Sequence, residues 1–160
     1  MVSPIHSGDR AAFPHGLPSP GLRPLADFQA YGLPRLRILA DDYAASRFTK
    51  GAVPVGGSIT GSLEIQRDHD WFAVDLQAGR TYALRQTGVT LLDPLLRLRT
   101  SAKVVASNDN AEGTLDSLIT YTPTQTGRFY LDGGAFADAY TGTYSVSVTD
   151  LTPNDDYAAG

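Results

Sequence analysis

From residue 53 onward, apolar and polar side chains alternate with a period of two. That is the pattern of strands with one buried and one wet face. The clearest case is 71–76, where Phe72, Val74 and Leu76 point one way and Trp71, Ala73 and Asp75 the other. The first set is expected to face a core. Segment 58–65 has Ile59, Leu63 and Ile65 as buried candidates, and Gly57 and Gly61 predict bends or a bulge. Ala78-Gly79 reads as a hairpin-type turn into 80–86, with Tyr82 and Leu84 inward. After a predicted loop at 87–93, Pro94 starts a strand in which Leu96 and Leu98 alternate with Arg97 and Arg99. Short strands are expected at 103–107 and at 115–122, the latter with Ile119 and Tyr121 inward. Segment 128–132 carries Phe129 and Leu131, 133–139 reads as a glycine-containing loop, and 142–148 alternates without error. About eight short strands punctuated by turn signals predict an all-β, two-sheet antiparallel β-sandwich. One short helix is expected at 42–47, with the acids as N-caps.

The flanks read differently. Pro4, Pro14, Pro18, Pro20, Pro24 and Pro34 crowd residues 1–39 and repeatedly remove backbone donors. These residues predict a Pro-rich linker or a loosely docked lead-in, with 33–39 able to pair at a sheet edge. Ala40-Asp41-Asp42-Tyr43-Ala44-Ala45 nearly recurs as Asn154-Asp155-Asp156-Tyr157-Ala158-Ala159. Positions 41 and 155 are 114 residues apart, a domain length. The sandwich is therefore placed at 40–150, and 151–160 is expected to begin a further repeat or linker.

Composition narrows the partners. Hydrophobic residues make up 42% and charged residues 19% of the 160, the usual globular balance. Net charge is −4 and the pI is near 5.2, which argues against nucleic acid and against the anionic face of a membrane. With no cysteine, disulfides, thiolate metal sites and a cysteine nucleophile are excluded. No apolar run approaches the roughly 20 residues of a membrane span. No signal peptide is visible, so an export signal is expected outside this chain.

Candidate chemistry is sparse. Asp68 and Asp70 stand at the entrance of the clearest strand, where a loop can gather oxygen ligands around a hard cation. Asn108, Asp109 and Asn110 form a second oxygen-rich loop, with a plain Asx turn as its bland alternative. His69 is expected to face solvent. No recognisable nucleophile motif accompanies it, so no catalytic residue is assigned. Trp71, Tyr130, Phe136 and Tyr140 are candidate ligand contacts, with packing as the competing role.

Read in order, a series of short segments resembles a known family. It comprises Asp-Asp-Tyr-Ala-Ala at 41–45, Val-Gly-Gly-Ser at 55–58, Asp-His-Asp-Trp-Phe-Ala-Val at 68–74 and Leu-Gln-Ala-Gly at 76–79. It continues with Leu-Asp-Pro-Leu-Leu-Arg-Leu at 92–98, Val-Ala-Ser-Asn-Asp at 105–109, Ser-Leu-Ile-Thr-Tyr at 117–121 and Gly-Thr-Tyr at 142–144. The series resembles the bacterial pre-peptidase C-terminal domain. The resemblance implies a jelly-roll-like sandwich attached to secreted enzymes and adhesins, often in repeats, with collagenase collagen-binding domains among its relatives. It also implies Ca²⁺ among Asp41, Asp42, Asp68 and Asp70; collagen recognition is not implied. The expected role is a non-catalytic accessory module of a secreted or cell-surface bacterial protein, a calcium-assisted spacer or binding domain beside its neighbouring domains. The alternative is a module that binds polysaccharide or an extracellular protein through the four aromatics.

Overall fold

The computed structural model describes residues 40–153 except Glu112, all within the compact unit Ile38–Gly160. The readings for 1–39 and for the recurring motif at 154–159 lie outside the described residues. Among the described residues eight strands follow one another: β1 (Ser58–Leu63), β2 (Asp70–Leu76), β3 (Tyr82–Gly88), β4 (Pro94–Arg99), β5 (Val104–Asn108), β6 (Ser117–Tyr121), β7 (Gly127–Ala135) and β8 (Gly142–Asp150). They form two four-stranded antiparallel sheets, ordered β1-β8-β3-β6 and β2-β7-β4-β5. The expected two-sheet β-sandwich is the observed fold.

Alternation explains the core. Phe72, Val74 and Leu76 of β2, Leu96 and Leu98 of β4, and Val146 and Val148 of β8 are all buried. With Tyr82, Leu84 and Tyr144 they form one cluster between the two sheets, the interior that stacked sheets enclose. Residue parity places Asp70 on this same inward face of β2, and it is fully buried.

Five local expectations change. Ala78-Gly79 is not a hairpin, because β2 and β3 belong to different sheets. The turn survives, with Gly79 at φ +80°, but it carries the chain from one sheet to the other. Only β4 and β5 are both consecutive and paired. No helix forms at 42–47. Asp41 Oδ1 accepts from the Tyr43 amide, Ser46 Oγ from Phe48 and Thr49 Oγ1 from Gly51; such side-chain turns compete with helix. Ile65 is 66% exposed, since β1 ends at Leu63. Gly133 and Gly134 are strand, paired with Asp70, Leu96 and Leu95, so the loop begins only after Ala135.

The fifth change concerns Gly61. It lies inside β1 with unbroken pairing to β8, so it makes no bulge. A Cβ there would sit 2.5 Å from the Tyr144 hydroxyl. The glycine admits the tyrosine, not a bend. Gly133 and Gly134 do the same on opposite faces. A Cβ on Gly133 would lie 3.1 Å from the Tyr144 hydroxyl, and one on Gly134 would lie 2.7 Å from the His69 ring.

Overpacking a filled core costs about 1–3 kcal/mol. Gly61→Ala is therefore expected to lower unfolding free energy by about that amount with an unchanged denaturant slope. Urea melts of the two proteins measure it, and an unperturbed midpoint contradicts the packing role.

Candidate functional site

Four carboxylates gather at one end of the sandwich because the turns before β1 and before β2 meet there. Asp42 Oδ2 accepts from the Ser62 amide at 3.0 Å, which docks the 41–45 segment onto β1. Asp68 accepts from the Glu64 and His69 amides at 2.9 Å each and closes the β1–β2 turn. Arg67 takes the left-handed conformation within it, at φ 70°. Asp70 faces inward and accepts a very short hydrogen bond from the Tyr144 hydroxyl.

The closest oxygens form two overlapping groups, Asp41–Asp42–Glu64 and Asp41–Asp68–Asp70, each within 4.8 Å. All four acids expected from the sequence are thus brought together. Glu64 joins them, though sequence reasoning missed it. Its signal was positional: residues 64–68 are the turn whose last residue is Asp68. Three oxygens in this cluster are buried without a partner: Asp42 Oδ1, Glu64 Oε2 and Asp70 Oδ1.

Electrostatics follows from this crowding. Burial, then the neighbouring carboxylates, pushes Asp70 up to about 8, against the lowering effect of the Tyr144 bond. Burial and the contact with Asp68 push Glu64 up to about 7. Asp42 is also raised, chiefly by burial. Like charges this close cannot all ionise unaided. The donor set is all oxygen and anionic, which suits a hard divalent cation that takes six to eight oxygens.

The second oxygen-rich loop is used differently. Asn108 Oδ1 accepts from the Leu118 amide and its Nδ2 donates to the Asn110 carbonyl, both at 3.0 Å. Asn108 therefore ties β5 to β6 and braces its own loop. Asp109 is not among the clustered carboxylates.

His69 is half-buried and ion-paired, not the free solvent-facing side chain expected from the sequence. Its parity is opposite to Asp70, which sends its ring onto the outer face of the β2-β7-β4-β5 sheet. Nδ1 lies 2.8 Å from Asp132 Oδ1 and Nε2 lies 3.1 Å from Asp138 Oδ1. The Asp132 bond raises the imidazole, against burial. Asp132 itself is 1% exposed and also accepts from Arg99 Nη1 at 2.7 Å. Burial would raise its carboxyl, but the His69 and Arg99 bonds hold it below the ordinary value.

The four aromatic candidates split. Trp71 and Tyr130 are buried, with ring centroids 5.5 Å apart. The Arg99 guanidinium covers Trp71 at 4.4 Å. Phe136 and Tyr140 are exposed in the β7–β8 connection. Packing, the competing role, therefore claims Trp71 and Tyr130, and the four do not form one shared exposed surface.

Comparison with known proteins follows this geometry. Residues 68–132 match the family model of the bacterial pre-peptidase C-terminal domain, which bears out the resemblance carried by the residue series. The match runs from the turn before β2 into β7; Asp41, Asp42 and Glu64 lie outside it. Among solved structures, the chain is similar to the pre-peptidase C-terminal domain of a Bacillus anthracis collagenase. Identity is 16%, with TM-score 0.48, over 61% of this chain and 92% of that one. It is also similar to a periplasmic inhibitor of g-type lysozyme from Aeromonas hydrophila, at 16% identity and TM-score 0.45 over 61% and 96%. No curated protein matches.

Removing one partner from a buried ionic network leaves the others uncompensated, at about 3–5 kcal/mol. Asp132→Asn is expected to destabilise by about that much at pH 7. A depressed carboxyl contributes stability above its unfolded value, near 3.9, and loses it as pH falls through the folded value. The gap between the two proteins should therefore hold down to about pH 4 and narrow only below it, as paired melts from pH 7 to pH 2 would record. A gap that does not narrow at all below pH 4 contradicts the ionic assignment.

Proposed function

We propose that this sandwich is a non-catalytic accessory module of a secreted or cell-surface bacterial protein, clamped by one calcium ion. The family match over 68–132 supports the accessory role beside neighbouring domains. One observation carries the calcium reading: a fully buried carboxylate, Asp70, leaves Oδ1 unpartnered among three other acids and Glu64. Unpaired buried charge is costly, and a divalent cation would remove that cost. Asp41, Asp42, Asp68 and Asp70 would hold the ion, with Glu64 beside them. It would tie the segment before β1 to the start of β2, making this end of the fold depend on calcium supply. His69 argues for a structural rather than a catalytic role, since acids engage both its ring nitrogens. The alternative, a polysaccharide- or protein-binding module, retains only Phe136 and Tyr140 as exposed contacts.

An ion that binds only the folded state adds about 2.7 kcal/mol at a hundredfold excess over its Kd. Calcium is expected to raise Tm relative to chelator, and Asp70→Asn to abolish most of that rise. The pH dependence gives a second readout. A carboxyl whose folded value is raised loses stability as pH climbs from its unfolded value to its folded one. With values of about 8 for Asp70 and about 7 for Glu64, the chelated protein should weaken from about pH 4 to about pH 8. Calcium should gain potency over the same window, because it displaces the retained protons. Thermal melts across that range, with and without calcium, test both; identical curves would sink the reading.

A further inference from the structure

The outer face of the β2-β7-β4-β5 sheet holds a second polar assembly, separate from the acid cluster. Register builds it. Asp132 of β7 stands opposite Trp71 on one side and Arg97 on the other. Together with Ala45, His69 and Arg99, these residues line a cup of about 340 Å³. Its hydrogen bonding is incomplete in one direction only. Asp132 has both oxygens engaged, Oδ1 by His69 and Oδ2 by Arg99. Asp138 is engaged by His69. Arg97 comes no nearer than 3.9 Å to Asp132. Its other neighbour, 3.3 Å away, is His69 Nδ1, which is itself a donor when it bonds Asp132. Arg99 Nε is buried with no acceptor among the described residues. The cup therefore has surplus guanidinium donors and a deficit of acceptors, in a protein whose net charge is −4.

We propose that this cup binds a carboxylate, with Arg97 as its anchoring guanidinium. The fork of a guanidinium matches the two oxygens of a carboxylate and bonds them side by side. Trp71, held flat beneath Arg99, forms the apolar wall. The Asp132 carboxylate in the floor selects for low ligand charge. It repels a doubly charged sulfate or phosphate more than a singly charged carboxylate group. The ligand is thus a carboxylate-bearing small molecule, or an acidic side chain or chain terminus of another protein.

The test uses a built-in reporter, since Trp71 is the only tryptophan in the chain. Intrinsic fluorescence of the full chain is followed during titration with succinate, with sulfate, and with a short glutamate-rich peptide. Ionic strength is fixed with chloride and calcium is held constant throughout, since a chelator is itself a polycarboxylate that would compete for the cup. The expected result is a saturable change with succinate or the peptide, and a weaker one with sulfate. Arg97→Gln should raise the apparent Kd about tenfold or more, while Arg128→Gln, on a different ion pair, should leave it unchanged. Response to succinate assigns a small-molecule ligand, and response to the peptide alone assigns a protein partner. No saturable change with either, sulfate binding more tightly than both, or an unaltered Arg97→Gln titration would each overturn the proposal. Asp132, 3.9 Å from Arg97, keeps its His69 and Arg99 bonds in this variant, so the variant is expected to fold; a matching wild-type melt confirms that its loss of response is not unfolding.

Discussion

The acid end of this sandwich depends on a carboxylate placed where an apolar side chain would ordinarily go. Asp70 has the parity of Phe72, Val74 and Leu76 and so points between the sheets. Its oxygen is met there by the hydroxyl of Tyr144, which reaches over from the facing sheet. Burying this group is tolerable only if its oxygens find partners. One does, and the other does not. The surrounding arrangement follows from that need. Gly61 and Gly133 clear space for the tyrosine ring. The turns carrying Asp42 and Asp68 close over the same end.

The outer face of the β2-β7-β4-β5 sheet obeys a different logic. Cross-strand neighbours there are ionic and aromatic rather than aliphatic, and each row does a separate task. Asp75 and Arg128 pair bidentately in solvent at 2.8–2.9 Å, which contributes little beyond register. Two residues along, Ala73 lies opposite Tyr130, whose ring packs at a tilt against Trp71. Two further along, Asp132 sits beneath His69, Arg97 and Arg99. Polarity becomes progressively more buried toward the acid end, because the 136–138 segment and the segment before β1 begin to cover the sheet there. Asp138, in a left-handed conformation at φ 55°, reaches His69 from that covering segment.

Period-two alternation was enough to read the strands and most of the core, because a two-sheet sandwich buries one face of every strand. It was silent on partnership. Nothing local distinguishes a turn that folds back within one sheet from one that crosses to the other, and so Ala78-Gly79 reads as a hairpin. Glycine is ambiguous for a related reason. Gly61, Gly133 and Gly134 look like breaks along the chain, yet each is required by a side chain distant in sequence. Tyr144 and His69 cannot be assigned to those glycines without the register. The four aspartates were legible through their order in the residue series. Glu64 was not, since it enters only when the β1–β2 turn closes. His69 was read as solvent-facing because the partners that half-bury it, Asp132 and Asp138, lie over sixty residues away.

The two polar assemblies are not independent features of the fold. Asp68, His69 and Asp70 are consecutive, and strand alternation sends His69 to the outer face and Asp70 to the inner one. Asp70 pairs with Gly133, whose missing side chain admits Tyr144; the next residue, Gly134, admits His69. One register pair thus seats a carboxylate inside the sandwich and an imidazole outside it. A one-residue slip between β2 and β7 would exchange those faces, turning Asp132 inward and placing side chains against both rings. The register of β2 with β7 is therefore specified by polar groups at its end as well as by the aliphatic rows along its length. Because the strand entrance serves both faces, any ion or ligand that orders one assembly also fixes the backbone that positions the other.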